Sequence, residues 1–255
     1  MLKLDVRVEG YERTKAMLAG RQKQVVFATM VALNRAAYKA SSVTSAEIAR
    51  VFDRPTPWVQ RSVRYVKATR EKLEAQVDFD AWGNKQGVTA SMVLRAQIQG
   101  GARRLKRHEI ALQRVGILPA GMAIVPGPAA KFDQYGNMSA GQIVQIMSYF
   151  QSFGEQGYSA NTRDGGRRLA RGNRKKGTVG FVYFVLKTNH GKLVPGVYQR
   201  FTFGAGSAVK PVMFFVRIPK YKRLLDFYGL ASSAARAEFA VQFPLALAEA
   251  LRTAR

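Results

Sequence analysis

The stretch Val179-Gly180-Phe181-Val182-Tyr183-Phe184-Val185 is a run of β-branched and aromatic residues, and two similar runs follow it. These are Val197-Tyr198-Gln199-Arg200-Phe201-Thr202-Phe203 and Val212-Met213-Phe214-Phe215-Val216. Residues of this kind favour extended strands, and the glycine-containing segments 189–191 and 204–206 between the runs are typical of turns. Residues 178–218 therefore predict a three-stranded antiparallel meander.

The chain before this meander has mainly helical patterns. Apolar and small residues recur at helical spacing from about Tyr11 to Phe52, which predicts one long amphipathic helix with a break at Gly20. Asp53-Arg54-Pro55 ends that helix, and Thr56-Pro57 has the hydroxyl and proline typical of a new helix start. Further helices are predicted over residues 89–99, 102–115 and from Ser139 to Phe150, with a Pro/Gly-rich connector from Pro119 to Gly136. A last helix is predicted from about Ala231 to Thr253.

Two earlier segments alternate with a period of two. The N-terminal ten residues and the stretch Leu73–Phe79 each place apolar side chains on one face, which predicts strands, the second ending in a turn at Trp82-Gly83-Asn84. We expect these strands to join the meander in a mainly antiparallel sheet of about four to five strands. The predicted fold class is α+β.

The sequence contains no clear linker, so residues 1–255 are predicted to form a single domain. Within it, residues 1–160 are mainly helical, residues 161–177 form a basic flexible arm, residues 178–218 form the meander and residues 219–255 are helical.

Charge is the strongest compositional signal. The 255 residues include 41 Lys and Arg against 16 Asp and Glu, a formal net charge of +25, and the excess is spread evenly along the chain. Positive charges in this excess repel one another within the protein and are attracted to a polyanion, so the composition favours a protein that binds one. Nucleic acid is therefore the first partner to consider, although composition alone leaves a merely solvated basic surface open.

Two clusters concentrate this charge. The segment 161–177 carries seven basic residues and four glycines, too little apolar surface to fold alone, and we interpret it as an arm that follows phosphates. Its candidate contacts are Arg163, Arg167, Arg168, Arg171, Arg174, Lys175 and Lys176. A solvated hairpin tip is the alternative.

The second cluster is Arg103-Arg104-Leu105-Lys106-Arg107-His108, which is predicted to begin a helix. Arg103, Arg104, Lys106 and Arg107 are candidate nucleic-acid contacts. Because cations at a helix N-terminus oppose the helix dipole, a partner anion or facing carboxylates would explain the cluster. Acidic side chains of a neighbouring subunit and DNA are equally good partners.

Enzyme chemistry finds little support in the residues, and we predict no catalytic residues, metal or cofactor. The absence of cysteine excludes disulfides, thiol nucleophiles and Cys-based metal sites. The two histidines, His108 and His190, are predicted to be surface residues. Carboxylates such as Asp53, Asp78, Asp80 and Asp133 could bind Mg²⁺ in a nuclease, but Asp78 and Asp80 fit the solvated face of a strand better. No run of about 18 apolar residues occurs, so we expect no membrane span.

Several short motifs, taken in order, resemble the minor tail protein Z family of tailed bacteriophages and prophages. In sequence order they are Leu33-Asn34-Arg35-Ala36-Ala37, Val51-Phe52-Asp53-Arg54-Pro55-Thr56-Pro57-Trp58, Ala68-Thr69-Arg70 before Leu73-Glu74-Ala75, Ile98-Gln99-Gly100-Gly101-Ala102-Arg103-Arg104-Leu105, Tyr135-Gly136-Asn137-Met138-Ser139 and Pro195-Gly196-Val197-Tyr198.

The resemblance implies a virion structural protein of the phage neck, which completes the tail or joins head to tail. It carries over no catalytic residues. We expect a homo-oligomeric ring of six or twelve copies that contacts portal, adaptor or other tail and neck proteins and touches phage genomic DNA through phosphates. Such a protein would reside in the virion neck or tail and in the host cytoplasm during assembly. The alternative is a sequence-independent nucleic-acid-binding protein that is not part of a virion.

Overall fold

The computed structural model describes residues 3–6, 21–80, 87–150, 169–172, 177, 179–203 and 206–253. They belong to two compact units, a division that the sequence analysis did not predict. Unit 1 comprises Met1–Gly101 and Tyr221–Arg255, and unit 2 comprises Ala102–Lys220. The short strands β4 (Gly101–Ala102) and β9 (Lys220–Tyr221) pair with each other. The mixed helix and strand content confirms the predicted α+β class.

Two long helices form the frame of unit 1. They are α1 (Gln22–Val51) and α6 (Phe227–Arg252), which pack along each other. Buried alanines make the close approach possible, since Ala28 of α1 meets Ala246 and Ala250 of α6 without bulky side chains between them. Helix α6 begins four residues before the predicted Ala231 and continues through Pro244. The predicted helical residues 11–20 lie outside the described part of the chain.

Two short helices in unit 1 begin at hydroxyl caps, of which the cap at Thr56 was predicted from the sequence. The Thr56 hydroxyl accepts a hydrogen bond from the backbone N–H of Val59 at the start of α2 (Pro57–Gln60). The Thr89 hydroxyl does the same for Met92 at the start of α3 (Ala90–Gln99). Gly100 ends α3 with φ +79°, a conformation that favours glycine.

Unit 1 has its own antiparallel sheet. Its strands are β1 (Lys3–Val6), β2 (Val63–Val66) and β3 (Ala75–Phe79), in the order β1-β3-β2. The predicted alternation holds in β3, where Ala75, Val77 and Phe79 are buried in the core shared with α1 and α6. The expectation that these strands join the meander is wrong, because β3 is already paired on both sides by β1 and β2. The predicted turn at Trp82-Gly83-Asn84 lies outside the described residues.

Unit 2 contains the predicted meander with one added strand. The strands β6 (Phe181–Leu186), β7 (Gly196–Phe203) and β8 (Gly206–Arg217) are antiparallel neighbours. The fourth strand, β5 (Met122–Pro126), pairs with β8 and gives the order β5-β8-β7-β6. The prediction of a connector from Pro119 to Gly136 is therefore wrong over β5. Its apolar run Met122-Ala123-Ile124-Val125 forms a strand between the Pro and Gly residues that suggested a loop.

Two helices complete the core of unit 2. Leu112 of α4 (Arg107–Arg114) and Ile146 of α5 (Ala140–Tyr149) are fully buried with Val197, Val212 and Met213 of the sheet. The Ser139 hydroxyl caps α5 by accepting from the N–H of Gln142, as predicted. Gly196 allows β7 and β8 to approach closely, since a Cβ there would lie 2.2 Å from the Met213 carbonyl oxygen.

Candidate nucleic-acid interface

The basic cluster at residues 103–107 is organised around one buried carboxylate. Glu109, in the first turn of α4, is 0% exposed and forms an ion pair with Arg103. Its Oε2 accepts hydrogen bonds from the Arg103 Nη1 at 2.7 Å and from the Lys106 backbone N–H at 2.5 Å. Its Oε1 accepts from the Ile124 backbone N–H at 2.6 Å and from the Arg103 Nη2. The pair thus ties the start of α4 to strand β5.

The electrostatics of this pair favour its charged form. Burial alone would raise the pKa of the Glu109 carboxyl, but the hydrogen bonds from Arg103 and from the backbone N–H groups of Ile124 and Lys106 hold that pKa below its usual value. Breaking a buried pair from one side leaves an uncompensated charge, which costs about 3–5 kcal/mol. The facing carboxylate considered for this cluster is therefore an internal one.

This geometry changes the interpretation of the predicted cluster. Helix α4 begins at Arg107, with Lys106 as its N-cap, so Arg103 and Arg104 precede the helix and do not lie on its first turn. The prediction that the whole segment begins a helix is wrong. Arg103 precedes the helix, and its side chain extends to Glu109. The Arg103 side chain is 14% exposed, which leaves little of it for an external phosphate. Arg104, Lys106 and Arg107 are exposed.

The two histidines differ from each other. Burial and the positive charges of Lys106 and Arg103 lower the pKa of His108 to about 4, and the nearby Glu109 carboxylate only partly opposes this. His108 is half-buried and neutral at pH 7, so the expectation of a surface histidine is wrong there. His190 is exposed in a turn, where its backbone exchanges two hydrogen bonds with Leu193.

Most of the predicted basic arm lies outside the described residues. This applies to Arg163, Arg167, Arg168, Arg174, Lys175 and Lys176. Arg171 is described, lies in a short helical turn over residues 169–171 and is exposed. The assignment of the arm to nucleic-acid binding remains a prediction.

The described surface of unit 2 is almost entirely of one sign. Its described residues include thirteen Lys and Arg but two carboxylates, Glu109 and Asp133. Glu109 is buried with Arg103, so Asp133 is the exposed carboxylate among the described residues of this unit. The other twelve cations are all exposed. A surface of this composition attracts anions from every side without reading their sequence.

Two of these cations are held on the meander by aromatic rings, a feature that the sequence analysis missed. The Arg200 guanidinium carbon lies 5.9 Å from the centre of the Phe184 ring, and the Lys210 Nζ lies 5.2 Å from that of Phe201. Alternating cationic and aromatic residues in neighbouring strands are the sequence signal for such contacts. They could be found only once the strand register was known.

The charges of unit 1 are more balanced. Its described side chains include sixteen Lys and Arg against nine Asp and Glu. Exposed cations lie beside exposed or half-buried carboxylates in five ion pairs, which are Arg50–Glu47, Arg54–Asp53, Arg64–Asp80, Lys72–Glu74 and Arg223–Asp226. Local pairing of this kind weakens the field that unit 1 presents to a distant anion.

Unit 1 contains two surface cavities that share Arg64. The first, about 340 Å³, is lined by Trp58, Arg61, Arg64 and Asp80 among others. The second, about 470 Å³, lies between α1 and β2 and is lined by Tyr38, Ser41, Ser42, Val63, Arg64, Tyr65 and Lys67. We call the second cavity the Tyr38 groove. The sequence gives no sign of this cavity, because its residues come from segments about 25 positions apart.

The carboxylates considered for a nuclease are engaged in local contacts. Asp78 accepts from the Phe79 N–H at 2.7 Å, and Asp133 accepts from the N–H groups of Tyr135 and Asn137 in a turn. Asp53 and Asp80 face arginines. Among the described residues, no three His, Asp or Glu side chains come together as a metal site would need.

A scan against protein-family models and searches of curated proteins and of solved structures find no match to this chain. The resemblance to the minor tail protein Z family therefore stays a prediction that depends on the short motifs. In the part of the chain that the structure describes, no helix has both the length and the apolar character that crossing a bilayer requires.

Proposed function

We propose that this chain is a structural protein of a phage virion, located in the neck, where it completes the tail or joins head to tail. In this proposal it forms a closed ring and touches the phage genomic DNA through phosphates, with portal, adaptor or tail proteins as its neighbours. It has no catalytic role.

The observation that carries the DNA contact is the one-signed surface of unit 2. The described residues of unit 2 include twelve exposed cations and one exposed carboxylate. A protein that works beside DNA gains affinity from each such cation, because phosphate binding releases condensed counterions. The same contacts carry no sequence information, which suits a channel through which a whole genome passes.

The motifs behind the family resemblance support the neck assignment, and two of them meet in the structure. The Asn34 side chain accepts from the Ala68 N–H at 2.7 Å and donates to the Ala68 carbonyl at 3.1 Å. The motif around Asn34 thus fixes the motif that begins at Ala68. This contact gives both motifs a structural role, as expected in a family without catalytic residues.

An open sheet edge supports self-association. Strand β6 is the last strand of the unit 2 sheet, and one side of its backbone is unpaired by other described strands. Open edges of this kind can pair with another chain. Repeated head-to-tail contacts between identical chains close into rings when the rotation permits, and six or twelve copies are the numbers we expect.

Quantitative mass spectrometry of purified phage particles tests the virion assignment. We expect the chain to be present at a fixed copy number near six or twelve. Its absence from mature particles would contradict the neck assignment and would favour an assembly factor or the alternative function.

That alternative is a sequence-independent nucleic-acid-binding protein outside the virion, which the same unit 2 surface favours. Both functions predict DNA binding that weakens steeply with salt, and only the virion function predicts a fixed copy number. Replacing Arg167, Arg168, Arg171, Arg174, Lys175 and Lys176 together should flatten the dependence of log K on log salt concentration. An unchanged slope would remove the arm from the interface.

A further inference from the structure

The Tyr38 groove combines an exposed aromatic ring with cations in unit 1. The Tyr38 side chain is 61% exposed on α1, although its ring contacts that of Tyr65 edge-to-face, with the ring centres 6.0 Å apart. The edge-to-face contact orients the ring while much of its surface stays open to solvent. A flat, open and oriented tyrosine is what an unpaired base needs for stacking.

The charges around this ring favour an anionic ligand. Arg64 and Lys67 line the groove, and Lys39 follows Tyr38 on α1. Among the residues that the structure describes, no carboxylate lines the groove itself. The nearest ion-pair partner, Asp80, lies 3.6 Å from the Arg64 Nε and belongs to the lining of the other cavity. Lys67 forms no ion pair with another described residue.

The walls of the groove are held in place before any ligand arrives. The Ser41 hydroxyl donates to the Val63 carbonyl at 3.3 Å, which ties α1 to β2 beside the groove. The two hydrogen bonds between Asn34 and Ala68 fix the segment that follows Lys67. Because these contacts are already formed, a ligand loses little affinity to ordering of the protein.

The size of the groove limits its occupant. A volume of about 470 Å³ falls within the range of about 300–1,000 Å³ that is usual for small-ligand sites. It is far too small for a double helix, whose bases are in any case stacked on each other and closed to a tyrosine ring. The Ser42 hydroxyl in the lining adds a hydrogen-bond donor for sugar or phosphate oxygens.

We propose that the Tyr38 groove binds single-stranded DNA, with a base stacked on the Tyr38 ring and the adjoining phosphate held by Arg64 and Lys67. This inference deepens the proposed DNA contact and rests on it. Unit 2 attracts any DNA through phosphates, whereas the groove in unit 1 distinguishes unpaired nucleotides from duplex.

The test compares two DNA probes and three variants of the full chain. Fluorescence anisotropy measures binding of a labelled 20-nucleotide oligo-dT and of a labelled 20-base-pair duplex. The variants are Tyr38→Ala, Tyr38→Phe, which keeps the ring, and Phe132→Ala as a matched control, since Phe132 is also exposed, at 53%, but lies in unit 2. Both positions are exposed, so circular dichroism should show unchanged folding of all three variants.

We expect Tyr38→Ala to weaken oligo-dT binding by about 5- to 100-fold, the range for loss of one base stack. Duplex binding should change less than about twofold, and Tyr38→Phe and Phe132→Ala should bind oligo-dT like the parent chain. Unchanged oligo-dT binding by Tyr38→Ala, with duplex binding intact, would overturn the groove inference alone. Failure of the parent chain to bind either probe would overturn the proposed DNA contact as well.

A fourth variant tests the phosphate part of the proposal. Lys67→Gln should reduce the slope of log K against log salt for oligo-dT by about 0.7, the value for one single-strand phosphate contact. An unchanged slope would exclude Lys67 from the site.

Discussion

The described residues of the two units differ in how many of their surface cations lie beside carboxylates. In unit 1, five ion pairs place exposed or half-buried carboxylates beside exposed cations. In unit 2, Arg103–Glu109 is the ion pair that forms among the described residues, and it is buried. The described residues of unit 2 therefore include twelve exposed cations but one exposed carboxylate.

This difference separates general attraction from local recognition. Exposed surface charge acts over about 10 Å at ordinary salt concentrations, so the excess of exposed cations in unit 2 can attract a polyanion. Unit 1 has a weaker field but a shaped groove with a fixed aromatic ring. The even spread of charge along the sequence does not show this difference. Among the described residues, the units differ in how many carboxylates they contain and in whether those carboxylates are buried or at the surface.

The largest expected effect concerns the one buried pair of unit 2. Glu109→Ala removes the acceptor for Arg103 and for two backbone N–H groups, so we expect a loss of about 3–5 kcal/mol in the free energy of unfolding. Urea unfolding measures the loss, and hydrogen exchange should place it in residues 181–217. Glu47→Ala, which breaks an exposed pair in unit 1, is the control and should have no measurable effect. Equal effects of the two variants would contradict the distinction between the units.

The next effect concerns the exposed cations. Changing Lys187, Lys192, Lys210 and Lys220 of unit 2 to Gln should lower duplex affinity at low salt by roughly 100- to 1,000-fold, with a smaller salt slope, if each contacts a phosphate. The matched control changes four paired cations of unit 1 to Gln, namely Arg50, Arg54, Lys72 and Arg223. Filter binding or anisotropy across a salt series gives both quantities. A larger loss in the control would assign the DNA contact to unit 1.

A smaller effect is expected from amide side chains that each bond one backbone N–H and one backbone C=O, a contact that occurs in both units. Asn34 in unit 1 bridges the N–H and C=O of Ala68, and Gln142 in unit 2 accepts from the Lys131 N–H at 2.6 Å and donates to the Ala129 carbonyl at 3.4 Å. Replacing either residue by Ala leaves backbone groups without partners, which costs about 1–3 kcal/mol. Hydrogen exchange should localise each loss to its own unit. A loss that spreads evenly over both units would show that they unfold together.

The smallest effect is a pH dependence confined to unit 2. The pKa of His108 is lowered from 6.5 to about 4, so the unfolded chain binds a proton more readily than the folded one between these values. Stability is therefore highest above pH 6.5 and falls as the pH drops toward 4, by about 1–2 kcal/mol between pH 7 and pH 5.

Urea unfolding at the two pH values measures this loss, and His108→Gln should reduce it. Below about pH 4.5, protonation of Glu109, whose pKa is also lowered, should add a further loss. A stability that rises on acidification from pH 7 to pH 5 would contradict the burial of His108.

The sequence was most informative where local chemistry decides local structure. The predicted hydroxyl caps at Thr56 and Ser139 begin helices. The three strands of the meander follow the runs of β-branched and aromatic residues. These elements depend on neighbours within a few positions, which is why pattern and propensity suffice.

Features that depend on distant contacts were not predictable in the same way. Strand β5 was hidden among Pro and Gly residues, and only its pairing with β8 makes it a strand. The role of Arg103 depends on Glu109 folding back toward it, and the Tyr38 groove requires α1 and β2 to be adjacent. Charge counts cannot reveal which cations have internal partners. The candidate contacts at 103–107 therefore included Arg103, whose guanidinium pairs with the buried Glu109 carboxylate.

The chain order of unit 1 has a consequence for its synthesis on the ribosome. Helix α6, the main partner of α1, is encoded after the whole of unit 2. Residues 102–220 emerge as a continuous segment and can fold while translation continues, whereas the buried face of α1 must wait until α6, Phe227–Arg252, has left the exit tunnel. A nascent chain paused before residue 227 thus exposes an apolar helix face, which makes this stage of translation the one at which a chaperone is most needed.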